Sequence, residues 1–349
     1  SGNIESFEAI LSLFPEPERT QVVSTRGSSG EYVLHCAASS GNPELVKFIL
    51  DIMSEAERSQ AVYCRGKDGT TLLHCAVGSN HVESTKLILT SFPESERLQA
   101  VCMVDRKSWS ALHNCVASSK NPGLIKLVLS LLSETERLQV LGMQDRYRNT
   151  VLHSAAQSGY VEVIKTILTL CPESDRLQVL NMKNLHEQTV LHCAVDSDEI
   201  ECLKTVLSHY PESERLRAAS MTDNDGRTAL QNAARFGNFE AIETILTVYP
   251  ESERSQALNR SSQHGETVET VLHCVACSGK VECIKSVLSL LPESERLHAV
   301  SMANNNGWTA LHCAARSGNF ETVETILTLC PESERLQALN RTTHNGETL

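Results

Sequence analysis

The sequence predicts an all-α fold, a solenoid in which one helical unit recurs about nine times along 349 residues. Three observations predict it. A Leu-His pair returns at Leu34-His35, Leu73-His74, Leu112-His113, Leu152-His153, Leu191-His192, Leu272-His273 and Leu311-His312, mostly 39 residues apart, with Gln231 standing in the same register. A second segment, Pro-Glu-Ser-Glu-Arg, runs in step with the first from Pro93, Pro211, Pro250, Pro292 and Pro331, with looser copies from Pro15, Ser54, Ser133 and Pro172. Between the signatures, apolar residues recur at helical spacing. A fixed period of roughly 20–50 residues marks a repeat architecture. The two irregular spacings have local causes: one extra residue around Asn121-Pro122-Gly123, and a three-residue insertion within Glu266–Thr270.

The elements of a unit come in order, and the last full copy shows them best. Asn306-Gly307-Trp308-Thr309 reads as a turn leading into a helix, since Gly307 can take a positive φ and Thr309 can cap the helix after it. Ala310–Arg316 is the short first helix, stopped at Ser317-Gly318-Asn319. Phe320–Cys330 is the second helix, with Val323, Ile326, Leu327 and Leu329 on a mostly apolar face. Pro331–Leu339 is a short third helix. Its proline is read as the first helical residue, acids occupy the first turn, and Leu336 and Leu339 share a face.

The run Gly307-Trp308-Thr309-Ala310-Leu311-His312-Cys313-Ala314-Ala315, with a glycine stop, a longer helix and a turn after it, resembles the ankyrin repeat. The likeness covers nearly the whole chain. Two departures stand out. The unit is longer than the family's ~33 residues, the excess being the Pro-Glu-Ser-Glu-Arg segment, and the proline usual after the threonine is missing at Leu72, Val151 and Ala310. HEAT-like repeats have a similar length but lack the Thr-x-Leu-His turn. The extended unit is also similar to ankyrin arrays in effector proteins that intracellular bacteria inject into host cells. The resemblance implies a single array over 1–349, with hairpin-like turns along one edge. Ser1-Gly2-Asn3 aligns with Ser317-Gly318-Asn319, and the last residues stop at a helix start, so the chain is expected to be a fragment of a longer protein.

Composition narrows the function. Hydrophobic residues make up 41% and aromatics only 4%, which suits a closely packed Leu/Val/Ile/Ala core. No apolar run approaches the ~18 residues of a membrane span, and Ser1–Glu5 lacks a basic segment followed by an apolar stretch, so no signal peptide is expected there. The net charge of −12 disfavours nucleic acid and anionic membranes, whose binding rests on clustered Lys and Arg. Most of that charge belongs to the repeat, because every Pro-Glu-Ser-Glu-Arg copy holds two acids and one arginine. Thirteen cysteines, many inside helical patterns, point to a reducing cytoplasm, which for a secreted effector is the host cytosol.

The His-Cys pairs (His35-Cys36, His74-Cys75, His192-Cys193, His273-Cys274 and His312-Cys313) invite a metal or nucleophile reading that their spacing opposes. Adjacent helical residues point apart. Stacked helices lie ~8–10 Å apart, whereas zinc needs ligand atoms at ~2 Å. Each histidine is expected to bridge backbone groups between units and each cysteine to be packed. No phosphate loop, nucleophile elbow or paired carboxylates stand out. No catalytic residue, metal or cofactor is therefore expected. Arg97, Arg137, Arg176, Arg215, Arg254, Arg296 and Arg335 are expected to pair with neighbouring acids, and Glu162/Lys165, Glu201/Lys204 and Glu282/Lys285 to pair along exposed helix faces.

Specificity belongs where the units differ. In ankyrin arrays partners are held by turn tips and by the exposed side of the first helix. The resemblance therefore implies a turn set of Lys67, Asp68, Arg106, Lys107, Trp109, Tyr147, Arg148, His186, Glu187, Asp225, His264, Asn305 and Trp308. It also implies a first-helix set of Ser39, Gly78, Ala117, Gln157, Asp196, Arg235, Cys277 and Arg316. Trp109 and Trp308 are the only tryptophans and are candidate anchors. Arg106, Lys107, Arg146 and Arg148 form a basic cluster suited to an acidic partner surface. The expected function is a protein–protein interaction module, monomeric unless its ends stack. The alternative is the targeting module of an enzyme whose catalytic domain lies outside these residues; a third is an architectural spacer.

Overall fold

The computed structural model describes residues 4–27, 30–66, 68–118, 120–262, 268–330, 332–346 and 348. Lys67 and His264 of the turn set lie outside them, as do Glu266 and Thr267 of the insertion, the N-terminal Ser1-Gly2-Asn3 and Pro331. The described residues form 26 helices; their extended pairing is limited to isolated bridges. After a leading pair, Ile4–Ser12 and Glu16–Val23, the helices fall into eight triplets. The first is Val33–Ser40, Pro43–Ile52 and Glu55–Tyr63; the last is Ala310–Arg316, Phe320–Leu329 and Glu332–Leu339. The expected second and third helices each shorten by one residue.

The chain packs as two compact units, Ser1–Ala155 with Tyr160–Leu185, and Ala156–Gly159 with His186–Leu349. In the first, the first helices Val33–Ser40, Leu72–Gly78 and Ala111–Ser118 pack in series. So do the second helices Pro43–Ile52, Val82–Ser91, Pro122–Ser130 and Val161–Leu170. In the second unit the same two series run through Val190–Asp196, Ala229–Phe236, Val271–Ser278 and Ala310–Arg316, and through Ile200–Ser208, Phe239–Leu246, Val281–Leu290 and Phe320–Leu329. Third helices form an outer layer. The core lies between the first and second helices and takes in the last turn of third helices, as at Val140-Leu141 and Val179-Leu180. Leu124, Ile125, Val128 and Leu129 of one second helix are all fully buried, each burial stabilising by about 1.5–3 kcal/mol. In the last triplet Ile326 is buried, but Leu336 is exposed and Ala338 takes the buried position of the third helix.

The histidines tie neighbouring triplets together. The N-capping hydroxyl of Thr71 sits 2.7 Å from His74 Nδ1, which also accepts the Thr71 N–H, while His74 Nε2 donates to the Trp109 carbonyl at 2.9 Å. His113, with Ser110 as cap, reaches the Asn149 carbonyl at 3.1 Å. His273 reaches that of Trp308 at 3.0 Å, and His192 that of Arg227 at 3.2 Å. Gln231 reproduces the scheme: its Oε1 accepts the Thr228 N–H and its Nε2 donates to the Arg260 and Glu269 carbonyls. A carbonyl can only accept, so Nε2 carries a proton, and Nδ1, which accepts a backbone N–H, carries none, so the rings are neutral. Burial agrees, holding His35, His74, His113 and His273 below the ordinary histidine range.

Three expectations about helix ends and charged pairs change. Pro93, Pro172, Pro211, Pro250 and Pro292 are N-caps in an extended conformation, one residue before the helix. All of the repeated arginines but Arg97, whose Nε has no partner among the described residues, donate to carbonyls where the preceding second helix ends: Arg137 Nε to Leu129 and Leu132, Arg176 to Leu168, Arg296 to Leu288 and Leu291, Arg215 to Tyr210, Arg254 to Tyr249 and Arg335 to Cys330. At that end the carbonyls lack the usual i+4 partner, Leu129 and Leu288 taking only the Leu132 and Leu291 N–H groups, and a cation suits the negative end of the helix. The acids cap instead, Glu57 and Glu136 accepting the backbone N–H groups of Ser54 and Ser133. On exposed faces Glu162–Lys165 and Glu282–Lys285 pair as expected, but Lys204 pairs with Glu240 of the next second helix rather than with Glu201.

Candidate protein-interaction surface

Third helices lead into hairpins, several of which close on an Asp or Asn side chain, while Gly27 and Gly66 hold that position in the first two. Asp105 Oδ1 accepts the N–H groups of Lys107 and Trp109, at 2.8 and 2.9 Å. Asp145 does so for Tyr147 and Asn149, Asp223 for Asp225 and Arg227, and Asn304 for Asn306 and Trp308. This short polar side chain mimics a turn and fixes the tip. The residue after the tip is left-handed: Gly307 at φ 78°, Arg148 at φ 59°. A Cβ on Gly307 would lie 2.6 Å from the His344 nitrogen. That nitrogen bonds the Asn306 carbonyl, as Arg106 N–H bonds Asp68 and Leu185 N–H bonds Tyr147. Successive tips are thus held by backbone bonds, leaving side chains free to vary.

In the first unit Arg106, Lys107, Arg146, Tyr147 and Arg148 are all exposed, Tyr147 to 47%. Trp109 is half-buried, with the Lys107 ammonium 4.8 Å from its ring centroid; Arg146 lies equally far from that of Tyr147. The tryptophans were expected as exposed anchors. They are instead half-covered, each beneath a cation of its own repeat, a contact worth roughly 0.5–2 kcal/mol.

In the second unit the first-helix positions Gln157, Arg235, Cys277 and Arg316 are exposed. Asp196 is half-buried. Its Oδ2 accepts from Gln188 at 3.3 Å, its Oδ1 has no partner among the described residues, and burial, with Asp223 adding, pushes its carboxyl up to about 6. The Arg316 guanidinium lies 4.7 Å from the Trp308 ring centroid, and both line a cavity of about 280 Å³ with Glu269, Cys277 and Cys313. Beside it Arg227 bonds Asp225 at 2.6 Å and lies 3.6 Å from Glu269.

Sequence reasoning missed Glu269, Arg227 and Cys313. The available signal was register: Trp109, Asn149, Gln188, Arg227, Glu269 and Trp308 each stand immediately before a cap and differ from unit to unit. The expectation that the cysteine of each His-Cys pair is packed fails at Cys36, which is exposed. The ring nitrogens of His74, His113 and His273 are occupied by caps and carbonyls, which leaves no lone pair for a ligand. No helix among the described residues is long and apolar enough to cross a membrane.

Ankyrin-repeat family models match the chain at residues 1–99, 169–255 and 253–334, well over half of it. Among solved structures it is similar to the ankyrin repeat domain of Bcl-3, described as a unique member of the IkappaB protein family. That likeness has 18% identity and a TM-score of 0.56, and covers 74% of this chain and 99% of the other. No curated protein matches the chain.

Proposed function

The chain belongs to the ankyrin-repeat family, and on that premise we propose that it holds a partner protein on its hairpin tips and on the exposed side of its first helices. Ankyrin repeats generally mediate protein–protein interaction and form a non-enzymatic scaffold. One observation carries the reading. Backbone geometry is held constant by histidine–carbonyl and Asx bonds, while the side chains displayed on it differ from repeat to repeat. A fixed frame with varying display is what recognition needs. The docking residues in this reading are Trp109, Trp308, Arg106, Lys107, Tyr147, Arg148, Gln157, Asp196, Arg235 and Arg316, acting along one array over 1–349. The basic cluster faces an acidic patch of the partner. With thirteen free cysteines the protein works as a monomer in a reducing cytosol, that of the host cell if it is a secreted bacterial effector.

Affinity capture from host-type cytosol with mass spectrometry tests this beside a Trp109→Ala/Trp308→Ala variant whose helical circular dichroism is unchanged. A partner retained by the native chain and lost by the variant is the expected result. Identical captures from both would overturn the assignment.

A further inference from the structure

We propose that Cys277 and Cys313 form a redox-active dithiol, which a small disulfide of the oxidised-glutathione class converts into a disulfide between two first helices. Cys277 lies on Val271–Ser278 and Cys313 on Ala310–Arg316, helices that pack against each other. Cys277 is exposed and Cys313 is buried, and both line the cavity beneath Trp308 and Arg316. A reagent in that cavity therefore meets an accessible sulfur with a sheltered one behind it.

The two thiols act on one another across the cavity they share. The Cys313 S–H stabilises the Cys277 thiolate, which holds Cys277 below the ordinary thiol range against burial. Arg235 and Arg316 favour the thiolate as well; Glu269, the acid facing it, opposes. Such a partly exposed, electropositive setting marks a reactive cysteine. Other sulfurs are placed differently. Burial pushes Cys202 and Cys283 up to about 11, and keeps Cys193 and Cys274 higher still.

The chemistry balances without further reagents. The Cys277 thiolate attacks one sulfur of the small disulfide, a mixed disulfide forms, and one thiolate leaves. Cys313 is held above the ordinary thiol range chiefly by the Cys277 sulfur, so capping Cys277 removes the main obstacle to its ionisation. Cys313 then loses its proton to solvent and attacks the Cys277 sulfur, expelling the second thiolate. Two protein thiols are oxidised, and one small disulfide is reduced to two thiols.

The test uses the reduced full chain and needs no variant for its first two readouts. With limiting iodoacetamide and peptide mass spectrometry, Cys277 should be alkylated about threefold faster than Cys36, the other exposed cysteine. With oxidised glutathione, a cross-linked peptide joining Cys277 to Cys313 should appear, and Cys313→Ser should stop at glutathionylated Cys277. Labelling of Cys277 no faster than Cys36 would overturn the proposal. So would a native chain that stops at the mixed disulfide.

Discussion

His113 shows how one residue does two jobs, capping its own helix and holding the next hairpin, and how both depend on its charge state. The neutral ring accepts at Nδ1 and donates at Nε2. In the unfolded chain it takes up a proton as pH falls through about 6.5, whereas burial keeps the folded ring neutral to lower pH. The unfolded state then binds more protons, so stability is full above that pH and is lost as pH falls below it. Gln231 already makes the same bonds without titrating. Replacing His74, His113 and His273 by glutamine should therefore leave the urea midpoint at pH 7.5 nearly unchanged and flatten its fall between pH 6.5 and 5. An equally steep fall would mean that the acid sensitivity lies elsewhere. Arg148 gives a second expectation. It is left-handed where Gly226 and Gly307 stand in other repeats, and a side chain there costs about 1 kcal/mol or more. Arg148→Gly should raise stability by about 1 kcal/mol in chemical denaturation and at the same time weaken partner binding. At this scale the histidine's role was legible, because its spacing forbade convergence on a metal. The cation over each tryptophan was not: Arg316 comes eight residues after Trp308, and only the fold of the hairpin onto the first helix brings them together.

The third helix is where local signals and the observed element diverge in an instructive way. Its proline, paired acids and arginine announced a helix correctly, but charge balance alone suggested that the arginines would meet carboxylates. The turn between second and third helices is tight, so the arginine reaches back five to eight residues to carbonyls that the second helix leaves open. Those bonds make the added segment a C-terminal cap for the helix before it. Arg137→Ala should cost about 1.5–3 kcal/mol, the range for a hydrogen bond to a charged group, measured as a shift in urea midpoint. Glu134→Ala, on the exposed start of the same helix, should cost at most about 1 kcal/mol. Equal losses from the two would mean that the arginine acts only through surface charge. The first helix was the most legible element, its Ala310–Arg316 bounds being those expected, because a capping threonine and a small-residue stop enclose it. Of the insertion, Glu266 and Thr267 fall outside the described residues, while Glu269 is bonded to Ser262 through both its carbonyl and its N–H.

Across the whole molecule, a repeat that cannot bury both helix faces alone must lie against its neighbours, which is why periodicity made the fold class readable from the chain. The same periodicity hides the partner. Whatever recurs serves packing, and whatever serves recognition is by construction the part that does not recur. The variable positions fall on two strips, tips and first helices, while the recurring acids fall on the third-helix layer. Their contributions to binding can therefore be separated. The most direct measurement is calorimetric titration of the captured partner into three chains: the native one, a Gln157→Ala/Asp196→Ala/Arg235→Ala/Arg316→Ala variant, and a Glu94→Ala/Glu134→Ala/Glu173→Ala/Glu212→Ala variant. A loss of about tenfold or more in affinity for the first variant only is predicted, about 1.4 kcal/mol. Affinity lost through the third-helix acids, with the first-helix variant binding like the native chain, would contradict it.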